Sequence, residues 1–339
     1  MRPTGRLHLG HYVGVLKNWI ALQQDYQCYF MIADWHALTT KYHDPSHMKD
    51  DVLDMALDWL ACGIDPGRST VYIQSQVPAI IELQMAFAMV TPNKWVETDP
   101  TLKDMVKMQA EEPDFDGLTY GLLGYPILQA ADILSVKGDL VPVGKDQLAH
   151  LEIVRDIVTR FNHLYGKPIF PSPKPLLTET PLLLGLDGRK MGKSNNNAIY
   201  LSDTEDETWA KIKQGITDPA RVKRDDPGNP DDCAVIYKYY EVFAPKDAQA
   251  LAATECRSAT RGCMDCKRIL CDYINESMRP IRARRKELAG DKKAVLGMLL
   301  EGSLKAYRDC NETIKEVREL LNLFPAFYAA SALAENVLM

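Results

Sequence analysis

No apolar run in this chain approaches the ~20 residues that a membrane-spanning helix requires. The opening segment, MRPTGRLHLGHYVG, lacks the apolar centre of a secretion signal, so a cytoplasmic protein is expected. There is no internal repeat and no low-complexity tract. Positive charge is not in excess either: 40 Lys and Arg stand against 46 Asp and Glu, for a net charge of −6. A global basic field is thereby excluded, and any contact with nucleic acid must use local patches. What remains is an ordinary globular composition, 46% hydrophobic and 25% charged. At 339 residues the chain is long enough for two domains, or for one large domain with an appendage. In a reducing compartment its eight cysteines point to metal binding or burial rather than to disulfides.

The first half alternates strand-like and helix-like segments. CYFMIADWHAL (28–38) begins as an apolar, aromatic run, STVYIQSQV (69–77) is β-branched, and GDLVPVG (138–144) is short and apolar. Between them, MKDDVLDMALDWLACG (48–63) places Val52, Met55, Ala56, Leu57, Leu60 and Ala61 near one helical face, with Gly63 as a stop. DQLAHLEIVRDIVTRFN (146–162) has the same periodicity. Strands alternating with helices imply βαβ units and a mostly parallel sheet. From about residue 205 the β-like runs stop. A charged loop, TDPARVKRDDPGNPDDC (217–233), is followed by helical patterns such as KRILCDYINESM (267–278) and EGSLKAYRDCNETIKEVRELLNLF (301–324). The expected fold class is α/β, a Rossmann-like parallel-sheet domain followed by a helical domain.

Two polar motifs flank the sheet. PTGRLHLGHYVGVLKNW (3–19) puts His8 and His11 three residues apart where a helix begins, with Gly10 between them. The free N–H groups of a helix start suit a phosphate. Alone, this motif is more simply a capped surface helix with two incidental histidines. DGRKMGKSNNN (187–197) carries Lys190 and Lys193 in a loop too polar for a core. Such a loop can bring two cations onto a polyphosphate, although solvated basic loops are common. Taken together and in this order, HLGH and KMGKS resemble the HIGH and KMSKS signatures of class I aminoacyl-tRNA synthetases.

GYPILQAADIL (124–134), VPVGKDQLAHLEIVRDIVTRFN (141–162), ADWHALTT (33–40) and DPARVKRDDPGNP (218–230) extend the resemblance to the bacterial tryptophanyl-tRNA synthetase family, over nearly the whole chain. The tyrosyl family, with the same fold and chemistry, is the nearest alternative; a non-catalytic RNA-binding paralogue is another. The resemblance implies that L-tryptophan is activated with ATP and Mg²⁺ to an adenylate and then transferred to tRNA(Trp), and it implies a homodimer. Tryptophan's own carboxylate is the nucleophile, so activation needs positioning and charge stabilisation rather than a general base.

By the same resemblance, His8, His11, Lys190 and Lys193 are the catalytic residues. Arg2, Pro3, Thr4, Gly10, His11, Gly144, Lys145, Asp146, Lys190, Met191, Gly192, Lys193 and Ser194 form the ATP site. Asp132, Tyr125, His36, Gln147 and Gln129 form the tryptophan site. Asp132 lies in a mostly apolar helical segment, where an unpaired carboxylate is costly. An indole N–H only donates, so a carboxylate acceptor matches it. Without the resemblance, an N-cap or arginine-paired aspartate is an equally good reading of the same residue.

The sequence departs from the family pattern in several places. Gly192 replaces the usual serine of KMSKS, Lys145 an acidic residue, and Gln129 a methionine. The short strand that usually precedes RPTG would lie before Met1. The domain boundaries expected are 1–184 for the catalytic domain, 185–204 for the KMGKS loop and linker, and 205–339 for a helical anticodon-binding domain.

The last motif is Cys233, Cys256, Cys263 and Cys266, in the spacing C-x22-C-x6-C-x2-C. Four thiolates hold Zn²⁺ or an iron–sulfur cluster, and spacing alone leans towards zinc. The spacing also resembles that of a subset of bacterial tryptophanyl-tRNA synthetases with a 4Fe–4S cluster in the anticodon-binding domain, which makes the cluster the expected cofactor and Zn²⁺ the alternative. Nothing in adenylation or acyl transfer moves an electron, so a structural or tRNA-positioning role is expected of it. Arg257, Arg261, Lys267, Arg268, Arg279, Arg282, Arg284 and Arg285 supply local positive charge nearby, with a solvated helix face as the competing reading for 279–285.

Overall fold

The structure, a computed structural model, describes residues 1–110, 117–144, 148–177, 183–192 and 195–325. In chain order the first half runs α1 (Leu9–His11), a π turn (Tyr12–Leu16), α2 (Lys17–Leu22), β1 (Tyr29–Ile32), α3 (Asp34–Lys41), α4 (Met48–Cys62), β2 (Thr70–Ile73), a 3₁₀ turn (Gln74–Gln76), α5 (Pro78–Val90), α6 (Asn93–Glu97) and α7 (Pro100–Gln109). It continues through α8 (Tyr120–Leu123), α9 (Tyr125–Ser135), β3 (Leu140–Val143), α10 (Leu148–Leu164) and β4 (Lys174–Leu177). Five helices follow: α11 (Glu205–Ile212), α12 (Ile236–Phe243), α13 (Lys246–Arg257), α14 (Cys263–Gly290) and α15 (Lys292–Leu320). Among the described residues, no helix is long and apolar enough to cross a membrane.

Local sequence explains several boundaries. α4 stops where Gly63 takes φ +115°, a left-handed cap that favours glycine. Its expected face, Val52, Met55, Ala56, Leu57, Leu60 and Ala61, is buried. α11 opens with a capping box: the Thr204 side chain accepts from the Glu207 N–H, and Glu207 accepts from the Thr204 N–H. The strands pair in parallel, β1 with β2 (Tyr29 opposite Thr70) and β3 with β4 (Leu140 opposite Lys174). Parallel pairing leaves the carboxyl ends of β1, β2 and β3 as the place where His36, Gln74 and Gly144 emerge, the usual end for ligands in such sheets.

Residues from before and after 205 share one core. Trp59 and Leu60 of α4 belong to the same buried cluster as Tyr239 and Tyr240 of α12 and Leu270, Ile274 and Met278 of α14. A second cluster joins α5, α9 and α10 to Ala306, Cys310, Ile314 and Val317 of α15. The last long helix therefore lies against β2 of the β1–β2 pair. Its closest approach is at Gly302, where a Cβ would stand 2.0 Å from the Val71 carbonyl oxygen on β2. The neighbouring Ser303 hydroxyl accepts from the Ile73 N–H at 3.1 Å and donates to the Leu299 carbonyl at 2.7 Å.

This contact predicts opposite outcomes for two glycines of one helix. Gly302→Ala should destabilise the protein by about 1–3 kcal/mol through overpacking. Gly297→Ala, with nothing within 4 Å of its Cβ position, should stabilise it by about 0.5–1 kcal/mol. Denaturant unfolding of both variants checks the contrast.

Candidate active site and cysteine centre

The HLGH and KMGK segments meet. The Leu9 N–H donates to the Ile199 carbonyl and the Leu201 N–H to the Leu7 carbonyl, each at 2.9 Å. His8 pairs with Tyr200 as an antiparallel bridge between them. The His8 N–H donates to His11 Nδ1 at 3.2 Å, and the two rings lie 3.7 Å apart. A Cβ on Gly10 would sit 3.0 Å from the His8 ring and 3.3 Å from the Met191 sulfur. The glycine between the histidines thus lets the lysine loop close on the helix start. Lys190 is exposed and Met191 is buried. Pro3 is buried, Thr4 is half-buried, and the Arg2 guanidinium lies 6.0 Å from the Tyr125 ring. Gly144 is exposed just after β3, while Lys145, Asp146, Gln147, Lys193 and Ser194 lie outside the described residues.

Asn197 holds the loop from within, and sequence reasoning missed it. Its Oδ1 accepts from the Gly192 N–H at 3.0 Å, and its Nδ2 donates to Asp187 Oδ1 at 2.7 Å and to the Lys190 carbonyl at 3.1 Å. Its own carbonyl accepts from the Leu186 N–H at 2.9 Å. The hydrogen bond from Asn197, with those from Arg189, lowers the Asp187 carboxyl to about 2. Gly185 makes the arrangement possible, because a Cβ there would stand 2.1 Å from Asn197 Nδ2. The only signal in the sequence was an asparagine run after the lysines. Among the described residues outside its chain neighbours, nothing comes closer than 3.5 Å to a Cβ on Gly192, so the Cβ of a serine meets no clash there.

The second group surrounds Asp132. On α9, Tyr125, Gln129 and Asp132 fall at i, i+4 and i+7 and share a face. Asp132 Oδ2 lies 2.7 Å from His36 Nε2 of α3, and Oδ1 accepts from Gln74 Nε2 at 2.7 Å. The His36 ring stands edge-on to Tyr125 at 4.3 Å. Burial raises the Tyr125 hydroxyl above its ordinary pKa. Gln129 is half-buried, and its Oε1 is shielded with no hydrogen-bond partner. Behind Tyr125, buried His150 sits 2.8 Å from Asp99. Gln74, too, was not singled out by the sequence; a polar residue directly after a buried strand is its only trace.

Cys233, Cys256, Cys263 and Cys266 all line one cavity of about 30 Å³, together with Arg221 and Arg261. Among the described residues, no three His, Cys, Asp or Glu side chains converge tightly enough to hold a single metal ion. Burial raises the Cys233 and Cys256 thiols and lifts Cys266 to about 11, and in each case the neighbouring sulfurs add to this. Cations surround the group. Arg221 Nη1 approaches the Cys256 sulfur at 3.9 Å, Arg261 pairs with Glu255, and buried Lys267 donates to the Lys213 carbonyl at 3.0 Å. Beside this cavity lies a groove of about 350 Å³ that shares Thr217, Arg221 and Cys263 with it.

Most of the arginines expected to face outward are engaged within the fold. Arg285 reaches Asp58 at 2.6 Å and Asp54 at 3.2 Å. Arg282 donates to Asn275 and Thr208, both at 2.8 Å, and Arg279 pairs with Glu205 at 2.9 Å. Arg268 stacks over Trp209 at 3.6 Å. Arg261 lines the cysteine cavity and Lys267 is buried, while Arg257 and Arg284 are exposed, as are the partnered Arg268 and Arg279.

Comparison with known proteins agrees with this layout. Residues 1–278 match the family described as tRNA synthetases class I (W and Y). The tryptophan–tRNA ligase of Thermotoga maritima is 43% identical, with 95% of this chain and 98% of that protein covered. That of Aquifex aeolicus is 39% identical over the same shares. The crystal structure of tryptophanyl-tRNA synthetase from Campylobacter jejuni, complexed with ADP and tryptophan, superposes with a TM-score of 0.85 at 30% identity, covering 95% of this chain and 98% of that one. Its Rossmann-like parallel sheet and helical C-terminal region are the class I arrangement, and the chain belongs to the class I aminoacyl-tRNA synthetases of the tryptophan and tyrosine family.

Proposed function

We infer that this chain is a tryptophan–tRNA ligase. The observation that carries the reading is the meeting of HLGH with KMGK on a fold whose relatives over 95% of the chain are tryptophan–tRNA ligases. The tryptophan carboxylate attacks the α-phosphorus of ATP, a carboxyl–phosphate bond forms, and pyrophosphate leaves with the electrons of the broken P–O bond. A hydroxyl of the terminal ribose of tRNA(Trp) then attacks the activated carbonyl and releases AMP.

In this reading His8, His11 and the helix start face the phosphates, with Arg2, Pro3, Thr4, Gly10, Met191, Gly192 and Ser194 around the nucleotide. Gly144, at the end of β3, is assigned to the nucleotide site, and so are Lys145 and Asp146. Lys190 and Lys193 meet the charge that develops on pyrophosphate, and Mg²⁺ entering with ATP shares it. Asp132 accepts the indole N–H, with Tyr125, His36, Gln129 and Gln147 around the ring. Residues 1–184 carry catalysis, 185–204 the lysine loop, and 205–339 the tRNA-facing helices, with α15 returning to support β2. The task belongs to the cytoplasm.

A homodimer is proposed for the apolar side chains left outside: Met85 and Met89 of α5 are 57% and 75% exposed, and Tyr120 of α8 is 76% exposed. A monomeric mass in sedimentation equilibrium would contradict it.

The cysteine centre is proposed to hold a 4Fe–4S cluster. Four thiols around one cavity supply its ligands, and Arg221, Arg261 and Lys267 offset the charge of four thiolates. When bound, such a group supplies cross-links rather than electrons here, tying the 217–233 loop to α13 and α14.

Pyrophosphate exchange into ATP should depend on tryptophan and respond little to tyrosine; exchange with tyrosine alone would overturn the specificity. Lys190→Ala should lower the exchange rate by about 10²–10³. Asn197→Ala, which displaces the loop without removing a cation, should lower it by up to about 10². Protein purified without oxygen should contain iron and sulfide in roughly equal amounts, about four of each per chain, and Cys266→Ser should lose both. Bound zinc without iron or sulfide would replace the cluster with a zinc site.

A further inference from the structure

Gln74 is an unusual residue to find where it stands. It follows directly on β2, in a 3₁₀ turn, and its side chain is fully buried. An amide taken out of water is costly unless both its ends are paired. Both are. Nε2 donates to Asp132 Oδ1 at 2.7 Å, and Oε1 accepts from the His36 N–H at 3.3 Å. The turn itself is fixed to the start of α3, because Asp34 Oδ1 accepts from the Ser75 N–H at 2.9 Å and from the Trp35 N–H at 3.1 Å. The Gln74 amide is therefore locked in position and in orientation: with Oε1 committed to a donor, Nε2 must face the carboxylate.

His36 grips the other oxygen. A carboxylate only accepts, so Nε2 is assigned as the donor to Oδ2 at 2.7 Å. His36 Nδ1 is shielded and has no hydrogen-bond partner. Asp132 thus receives one donor on each oxygen, from two elements that follow two different strands. Two donors on separate oxygens fix the plane of the carboxylate as well as its place. About four donors can be accommodated by a carboxylate, so acceptor capacity remains for a ligand N–H. Asp132 is also the least covered member, with its side chain 10% exposed against 4% for His36.

We propose that Gln74 is a positioning residue that sets amino-acid selectivity, by holding the Asp132 carboxylate in the one orientation that accepts a ring N–H. The inference rests on the reading of Asp132 as the indole acceptor. A fixed acceptor rewards a donor placed correctly and leaves a ligand without that donor facing a buried, unfilled acceptor. A carboxylate free to rotate can turn to other partners and discriminates less.

The test compares tryptophan with β-(3-benzothienyl)alanine, in which sulfur replaces the indole N–H at nearly the same shape. The quantity read is the ratio of kcat/KM values in pyrophosphate exchange, which a general loss of structure would not change. The wild-type protein should favour tryptophan by about 10² or more. Gln74→Met keeps the volume and removes the amide; it should narrow the ratio at least tenfold, chiefly through a higher KM for tryptophan. Gln74→Glu keeps the shape and the bond from the His36 N–H but turns an acceptor towards Asp132. It should narrow the ratio as well, and it decides the matter if Gln74→Met does not fold. A ratio that collapses in Asp132→Leu, which removes the acceptor at similar volume, but survives both Gln74 variants would overturn this inference alone. A ratio that survives Asp132→Leu would overturn the reading of Asp132, and this inference with it.

Discussion

Two backbone hydrogen bonds, Leu9 to Ile199 and Leu201 to Leu7, hold the HLGH helix start against the segment that follows the lysine loop. The proposed grip on a triphosphate needs both motifs, since one offers a helix start with histidines and the other offers lysines. Leu7, Leu9, Ile199 and Leu201 are all essentially buried, so the pairing is shielded from competing water. Gly10 and Gly185 then allow the approach that a side chain would block, at Met191 and at Asn197 respectively. Among the described residues outside its chain neighbours, nothing requires glycine at 192 on steric grounds, because the Cβ of a serine meets no clash there. The departure from KMSKS therefore changes a hydroxyl and backbone freedom, and leaves the seat of the loop as it is.

The helices after residue 205 support the same site from behind. α15 lies so close to β2 that only glycine fits at 302, and Ser303 satisfies a strand N–H. α14 delivers Arg285 to Asp58, whose side chain is 1% exposed and also accepts from the Leu7 N–H at 3.3 Å. Burial raises Asp58 and Arg285 opposes this. Removing the arginine would strand a buried carboxylate next to Leu7, at the entry to HLGH, a loss on the order of 3–5 kcal/mol. The helical region is consequently part of what holds the HLGH segment in place.

What the sequence made legible was local. The face of α4, its stop at Gly63, the three strand-like runs and the two signature motifs all rest on periodicity or on residue types within a short window. β4, with its proline and lysine, has no such pattern and exists because β3 offers it a parallel edge. The length of α14 was also hidden, since Pro280 lies inside it. Asp132, His36 and Tyr125 came from resemblance and are brought together by the fold. Gln74 and Asn197 were invisible because their importance lies in partners that folding alone brings near. The arginines of 279–285 read as a basic surface because charge is visible in a sequence and its partners are not. The four cysteines were legible as a group, while the cations around them, Arg221 foremost, were not.

The most direct measurement is a crystal structure of the protein with tryptophan and a non-hydrolysable ATP analogue. The indole nitrogen should lie within hydrogen-bond distance, about 2.7–3.2 Å, of an Asp132 carboxylate oxygen. The triphosphate should lie between the His8–His11 helix start and Lys190. An indole nitrogen directed away from Asp132, or a nucleotide bound elsewhere than at the junction of the two motifs, would contradict the assignment.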